Sequence, residues 1–335
     1  MTTALSDAGL QFADTSVISS LLRNYLAGLT LSTAGSSATM TIAPGQASDS
    51  TNLILMNLLT AIAKTTAAWA LGSTVGGLDT GTIRNTAVGA TCSYATTVMT
   101  CTVIPTSGTF AVGQEIQAVG VAPGTTIASL GTGTGGLGTY NLSTTPGTIA
   151  AETTAGLSWY YWYLIRRPDT GVIDVVFSLS SVSPTLPTSY TQFRYIGAAI
   201  TNGSSQWTGF IQVGDEFYWA TPISEFNGNS ATTAVLLRVT VPSGKKVKLS
   251  GSVYYASGAS GSQVIYLSDP DVNDIAPGSG TAFSISYSGA ASGSAGASFK
   301  CWTNASGQIR KREFIAGIQT ILLNLGWADP RGKNN

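Results

Sequence analysis

The chain contains no histidine. Histidine has the unperturbed pKa nearest neutrality and is the commonest general base and metal ligand. Its absence excludes Ser-His-Asp and Cys-His triads and histidine-based zinc sites. Carboxylate-pair chemistry survives that exclusion. Charged residues are also scarce, at 10% of the chain against roughly 25% in an ordinary soluble domain. Sixteen basic and sixteen acidic side chains cancel, so no net field attracts nucleic acid or anionic lipid.

Cysteine is nearly absent too. Cys92, Cys101 and Cys301 are an odd number without metal-ligand spacing. Cys92 and Cys101 flank an Ala95–Val98 turn and can face each other across a hairpin, which permits a disulfide. Free buried thiols are the expectation for a protein assembled in a reducing cytoplasm. The most apolar stretch, Leu53–Ala63, is broken by Asn57 and Thr60 and closed by Lys64, well short of the roughly 20 residues that span a bilayer. Met1–Asp14 lacks a basic segment followed by an apolar core, so no secretory signal is read there. A soluble chain made in the cytoplasm is expected.

What is present is β-forming. The 335 residues, 43% of them hydrophobic, suffice for two or three domains with real cores. Their solvated faces must be built from Ser, Thr, Asn, Gln and Gly, a surface with little charge repulsion between copies. Val17, Ile18, Leu21, Leu22, Tyr25 and Leu26 recur at helical spacing, with Asp14, Thr15 or Ser16 as N-cap and Gly28 as the stop. This short N-terminal helix either packs on its own domain or docks into a partner, and its apolar positions Val17, Ile18, Leu21, Leu22 and Tyr25 are the candidate anchoring residues.

After Gly28 the pattern predicts strands at Leu29–Leu31, Thr39–Ile42, Trp159–Ile165, Val172–Leu179, Phe193–Ile200, Ser205–Val213 and Ala234–Val241. Trp159–Ile165 is bulky on both faces, as in a strand covered on both sides, and Arg167–Val172 is a tight turn into a returning strand. Between Asn85 and Gly156 aromatics nearly vanish and Gly, Thr and Ala dominate around short runs at Thr97–Ile104, Glu115–Val119, Thr125–Leu130 and Gly138–Leu142. A compact sandwich inserted into a surface loop fits that segment. From Glu225 onward, strands at Lys246–Tyr255, Ser262–Leu267, Thr281–Tyr287, Ala297–Thr303 and Gln308–Phe314 argue for a further sandwich or jelly roll, while Ile321–Asn335 reads as either strand or helix. The expected fold is all-β, a multi-domain β-sandwich or jelly-roll-like architecture. Its divisions are an arm and helix at 1–28, a central β domain at 29–84 plus 157–224, an inserted Ig-like module at 85–156, and a C-terminal β-sandwich at 225–335.

Two sets of residues carry a resemblance. The first includes Gly28–Ser32, Ala67–Ala70, Gly76–Thr82, Tyr163–Val175, Pro184–Pro187, Gly214–Phe217, Thr303–Arg310 and Leu325–Asp329. It resembles a family of tailed-bacteriophage tail or fibre-type structural proteins. The second, Ala111–Gln114, Gly120–Ile127 and Gly131–Tyr140, is similar to an Ig-like module inserted into many phage structural proteins. The resemblance implies virion structure and host contact, and it carries no active-site motif. Residues 1–27 match neither set.

Candidate chemistry is thin. Asp269-Pro270-Asp271-Val272-Asn273-Asp274 has alternate oxygen ligands like the start of a calcium loop, yet Asp274 stands where Gly is required and Gly280 where a bidentate Glu belongs. An acidic turn is the better reading. Asp215, Glu216 and Glu225 lie near Phe217, Tyr218 and Trp219, as in a sugar cleft, but neighbours on a strand point to opposite faces and cannot act as a pair. Asp169 reads as turn chemistry and Asp174 as a solvent-facing strand position. Lys245, Lys246 and Lys248 read as a solvated strand edge, and Arg310, Lys311 and Arg312 lack the wider basic face a nucleic acid needs. The Gly-rich run 131–138 lacks the Lys-Ser/Thr ending of a phosphate loop, and no β-helix period is found.

The expectation is therefore a non-enzymatic tail-fibre subunit of a phage virion, without cofactor or metal, anchored by its N-terminus and assembled as a homotrimer. Its partners would be itself, other tail or capsid proteins, and a host cell-surface glycan, with neither nucleic acid nor membrane. Tyr254, Tyr255 and Tyr287 are candidate receptor contacts, with core packing as the competing role for each. A capsid decoration or head-fibre protein is the alternative, and a polysaccharide-degrading tailspike a more distant one.

Overall fold

The computed structural model describes residues 22–122, 124–256, 261–278, 286–289 and 294–333, and the regular elements among them are all β-strands. The first seven are β1 Leu26–Gly28, β2 Leu31–Ser32, β3 Thr39–Ile42, β4 Gly45–Ser48, β5 Leu55–Leu58, β6 Ile62–Ala68 and β7 Val75–Leu78. Then come β8 Ala87–Ala95, β9 Val98–Val103, β10 Glu115–Gln117, β11 Ile127–Leu130, β12 Gly138–Leu142 and β13 Ile149–Leu157. The chain continues with β14 Trp159–Arg166, β15 Ile173–Ser178, β16 Gln192–Ile200, β17 Phe210–Val213, β18 Glu216–Asn229 and β19 Val235–Arg238. The last six are β20 Lys248–Ala256, β21 Gly261–Ser268, β22 Ser286–Gly289, β23 Ser294–Trp302, β24 Gln308–Glu313 and β25 Gln319–Ala328. The tail that read as strand or helix is thus a strand, β25. Among the described residues no helix is long and apolar enough to cross a membrane.

The expected N-terminal helix falls mostly outside the described residues, Val17, Ile18 and Leu21 included. Its last turn does not extend to Gly28. Leu26–Gly28 pairs with Gly45–Ala47 as a strand and buries Leu26, so ladder bonds replace helical ones. Tyr25, just before it, is exposed.

A seven-stranded mixed sheet runs β16-β14-β15-β7-β6-β3-β2. Strand β14 lies between β16 and β15, antiparallel to both, and its residues Trp159 to Ile165 are all buried. On one face Tyr160 and Trp162 pack edge-on or tilted against Phe177 and Trp207. On the other, Trp159 meets Trp219 and Trp327, while Tyr161 and Tyr163 meet Tyr195. Aromatic contacts of this kind contribute about 0.5–1.5 kcal/mol each beyond the area they bury. The Tyr161 hydroxyl donates to the Ser243 carbonyl at 2.5 Å and the Tyr163 hydroxyl to the Ser180 carbonyl. Burial pushes both phenols well above their usual range.

Residues 87–157 form a six-stranded sheet, β10-β13-β8-β9-β12-β11. The sequence suggests a sandwich here. Instead the sheet's two edges meet: the Ile116 amide donates to Thr125, and the amides of Ile127 and Gly113 complete the seam with Gln114 and Ile127. The sheet closes like a small barrel, which removes its open edges. A separate core fills it, with Phe110 and Tyr140 in edge contact among Ala90, Met99, Ile116 and Ile127. Cys92 and Cys101 are cross-strand partners in the β8–β9 hairpin and form a disulfide, with Cα atoms 4.0 Å apart. The expectation of free thiols is corrected for this pair. Cys301 remains a free, buried thiol whose pKa burial raises to about 12, which leaves it unreactive. Where the chain enters and leaves the barrel, the Ser158 hydroxyl donates to the Asn85 carbonyl and the Ser158 amide to the Thr86 hydroxyl.

The remaining strands form a five-stranded sheet, β17-β18-β25-β20-β23, and a four-stranded sheet, β19-β24-β21-β22. Leu249, Val253 and Leu322 of the first share one core with Leu237, Ile265 and Ile309 of the second, and that core continues into the β14 aromatics. Near the C-terminus Arg331 donates to the carbonyls of Gly28 and Leu29 and to Asp215. Asp329 accepts from Tyr195, and Arg194 donates to the carbonyls of Asn24 and Gly332. Residues far apart in sequence are thereby closed into a single polar knot.

The barrel is joined to the sandwich through Glu115. Arg238 pairs with its carboxylate at 3.3 Å, and the Ser243 hydroxyl donates to it at 2.8 Å. The Gln117 amide donates to the Arg238 carbonyl. Burial alone would raise the Glu115 pKa, but Arg238, Ser243 and the Gly124 amide outweigh it and hold the carboxyl below its ordinary value of 4.5. A depressed folded-state pKa means a contribution that is full above the unfolded value and lost as pH falls through the folded one. Glu115→Gln should therefore destabilise the protein by about 3 kcal/mol at pH 7, the scale of a broken buried pair. The difference from wild type should be smaller at pH 3 than at pH 7, because below 4.5 the unfolded chain takes up a proton that the folded carboxyl resists. Urea unfolding at the two pH values reads this, and an equal gap at both contradicts it.

Candidate binding surfaces

The carboxylates near aromatic rings are engaged by the chain itself. Asp215 pairs with Arg331 at 2.9 Å and with Lys333 at 2.8 Å. Partial burial raises its pKa, and these two cations more than reverse the shift. Glu216 pairs with Lys300 at 3.0 Å and accepts from Tyr218. Glu225 accepts from the Thr240 amide and from Asn324. Asp169 closes a turn by binding Arg167 at 2.6 Å.

The acidic turn at 269–274 is held by cations in the same way. Lys246 contacts Asp269 and Asp271, Arg312 contacts Asp274, and Arg310 donates to the carbonyls of Pro270 and Val272. Among the described residues no cluster of acids, cysteines or histidines could hold a metal ion. One reading of the basic residues is corrected here. Strand β20, which begins at Lys248, is internal to its sheet and pairs with both β25 and β23. Lys245 lies over the Tyr195 ring and Lys248 over Trp302, so neither is a solvated strand edge. Lys311 is buried against Glu313 at 2.7 Å and over Phe226.

The outer face of the five-stranded sheet carries several exposed aromatic and aliphatic side chains. Val213, Glu216, Ala328, Lys248 and Trp302 stand opposite one another in turn across its five strands. Ile211, Tyr218, Gly326, Ser250 and Lys300 form the next row. Tyr218, Trp302, Ile211 and Val213 are exposed there, as is Tyr254 at 42%. Tyr255 is fully buried and belongs to the core. Period-2 alternation requires one of the adjacent tyrosines to face inward, and the core takes Tyr255. The side chain of Tyr287 lies outside the described residues. Tyr218 was named from the sequence as an aromatic beside Glu216, whereas Trp302 was not singled out, though its strand parity with Lys300 was available.

A cleft of about 510 Å³ lies against the seven-stranded sheet, lined among others by Trp69, Asp79, Arg167, Leu186, Pro187 and Tyr190. Its floor comes from an unusual reversal. Parallel neighbours normally need a crossover of a dozen or more residues, yet β6 and β7 are parallel and joined only by residues 69–74. The return leg lies alongside β7, with the Trp69 and Ala70 amides donating to Leu78 and Gly76. Gly76 permits this because any Cβ would collide with the Ala68 carbonyl.

Beneath the reversal sits a buried ion pair. Lys64 contacts Asp174 at 2.9 Å, both side chains being fully buried, and also donates to the Ala70 carbonyl at 2.7 Å. The Gly72 amide donates to Asp174, and the Lys64 ammonium lies 5.5 Å from the Trp69 ring centroid. Asp174 is therefore not solvent-facing, as its place in a strand implied: its partner is far away in sequence. Burial pulls Lys64 down and pushes Asp174 up, against the hydrogen bonds between them. Trp69 is fixed by donating its indole N–H to the Val175 carbonyl, and it meets Tyr190 edge-to-face at 5.5 Å. Neither aromatic was marked as a site residue in the sequence; only the Pro184–Pro187 punctuation marked the adjoining loop.

No family model, curated protein or solved structure matches the chain.

If the buried pair holds the reversal, Lys64→Met or Asp174→Leu alone should cost about 3–5 kcal/mol, since each leaves an uncompensated buried charge. The double variant should recover most of that loss. Equilibrium urea unfolding of the four proteins tests this, and additive losses would contradict it.

Proposed function

We propose that this protein is a non-enzymatic structural subunit of a tailed-phage particle, a tail-fibre component that assembles with copies of itself and presents a β surface to the host. One observation carries the presenting role. Asp215, Glu216 and Glu225 are engaged in ion pairs and hydrogen bonds within the chain, while the outer face of the five-stranded sheet leaves Tyr218, Tyr254 and Trp302 exposed. Aromatic side chains on a flat, weakly charged sheet suit adhesion better than catalysis. The particle assignment rests on the resemblance of Gly76–Thr82, Tyr163–Val175 and Thr303–Arg310 to fibre-type proteins. The absence of strong surface charge favours self-association, for which a threefold assembly is the natural arrangement of a fibre.

Mass spectrometry of purified particles, with immunogold labelling against this chain, tests the reading. The expected result is the protein in stoichiometric amounts at the tail, and a trimer by light scattering of the isolated chain. Labelling on the head shell would replace the tail fibre by a capsid decoration. A monomer missing from particles would refute the proposal.

A further inference from the structure

We propose that the amphipathic segment Val17–Leu22 packs on the body of its own chain. Its seat is formed by Tyr25, Leu53 and Leu55 on the outer face of the three-stranded sheet β1-β4-β5, a contact independent of any particle role.

Strand β5 and the residues beside it break the usual alternation. A strand with one face in water carries polar residues on that face. Here Met56 and Leu58 are buried and Ile54 packs against the same core, while the opposite parity brings Leu53, Leu55 and Leu59 to the surface. They are 41, 43 and 78% exposed, with Asn57 between them. Asn57 stands opposite Gln46 of β4, and the exposed Tyr25 reaches over the same face to donate its hydroxyl to the Gln46 side chain at 3.4 Å. Apolar residues on both faces of a strand imply cover on both. Four partly exposed side chains fall well short of the roughly 800 Å² per partner that a specific protein–protein interface needs. One face of a short helix fits them.

The chain supplies such a face at the right place. On a helix of 3.6 residues per turn, Val17, Ile18, Leu21 and Leu22 fall within an arc of about 140°, with Ser16, Ser19, Ser20 and Arg23 opposite. Val17 to Leu21 lie outside the described residues, but the junction with the body lies inside them. Leu22 is helical, the Tyr25 amide donates to its carbonyl at 3.0 Å, and Asn24 has φ 54°, the left-handed conformation in which helices commonly end. That stop is pinned beside the seat. The Asn24 amide donates to the Asn52 side chain at 2.9 Å, and Asn52 immediately precedes Leu53. Arg194 holds the Asn24 carbonyl from the other side. A helix from Val17 to Leu22 is about 8 Å long, enough to cover Leu53 and Leu55, which are about 7 Å apart along an extended chain. Leu59, about 20 Å from Leu53, is beyond it. The same segment of a second copy would compete against one tethered next to the seat, at an effective concentration of about millimolar or more.

Hydrogen exchange of the full chain, read by mass spectrometry on its N-terminal peptides, tests the seat. The amides of residues 18–22 should be protected equally at low and high protein concentration. Leu55→Asp should speed their exchange about tenfold, the scale of one leucine's lost packing, and leave β14 unchanged. Leu59→Asp should leave residues 18–22 as in the wild type. Exchange at the rate of an unstructured peptide, protection that vanishes on dilution, or protection indifferent to Leu55→Asp would each overturn the proposal. A bismaleimide bridging Leu21→Cys and Leu53→Cys gives a second reading. The link should form within one chain, and a link between two chains would give the seat to a neighbour's segment and overturn the proposal.

Discussion

The fold depends on a single strand being buried on both faces. Strand β14 turns Tyr160 and Trp162 toward Phe177 and Trp207, and Trp159 toward Trp219 and Trp327 of the neighbouring sandwich. The same few residues thus supply core to two sheet systems, which explains why one continuous apolar cluster runs from Leu26 to Trp327 while the barrel keeps its own. Large aromatics with few rotatable bonds give much buried area for little lost side-chain entropy. Several of their indole N–H groups have no hydrogen-bond partner among the described residues. Apolar packing of the rings outweighs those missing bonds.

Charge is used in the opposite way, sparingly and at joints. Lys64–Asp174 secures the β6–β7 reversal, Glu115–Arg238 ties the barrel to the sandwich, and Arg331–Asp215 joins the C-terminus to the β17–β18 turn and the first strands. Buried pairs add little net stability over an apolar replacement but penalise misregistered arrangements. In a chain whose strands are rich in Thr, Ala and Gly, and so weakly specified in register, such pairs fix how the pieces meet. Glu115 and Asp174 are thus buried at joints, while Tyr218, Tyr254 and Trp302 are among the aromatics that stay exposed.

Much of this was legible in the residues, and the limits are physical. The Trp159–Ile165 run and the Arg167–Val172 turn announced β14 and its hairpin, because bulky side chains on both faces and a Pro-Asp-Thr-Gly turn are local signals. Strands β4 to β7, made of small or mixed residues, carried no such signal. Barrel closure depends on bonds such as Ile116 to Thr125, made across a loop whose glycines mark a turn but not which strands it brings together. Cys92 and Cys101 could be placed face to face, but oxidation state is not a property of spacing. Asp174 was misread because Lys64 lies far back in the chain, and alternation alone could not say which of Tyr254 and Tyr255 the core would take. The cleft depends on a loop that the sequence marks only by its prolines.

Native-state hydrogen exchange on the isolated protein tests the shared strand most directly. If β14 serves both sheet systems, the amides of β14, β16, β18 and β25 open together with one free energy, and the barrel strands β8 to β13 form a separate unit. Exchange of β18 and β25 at a lower free energy than β14, as an independent unit, would show that the aromatic cluster does not join the two sheets and would contradict the account at its root.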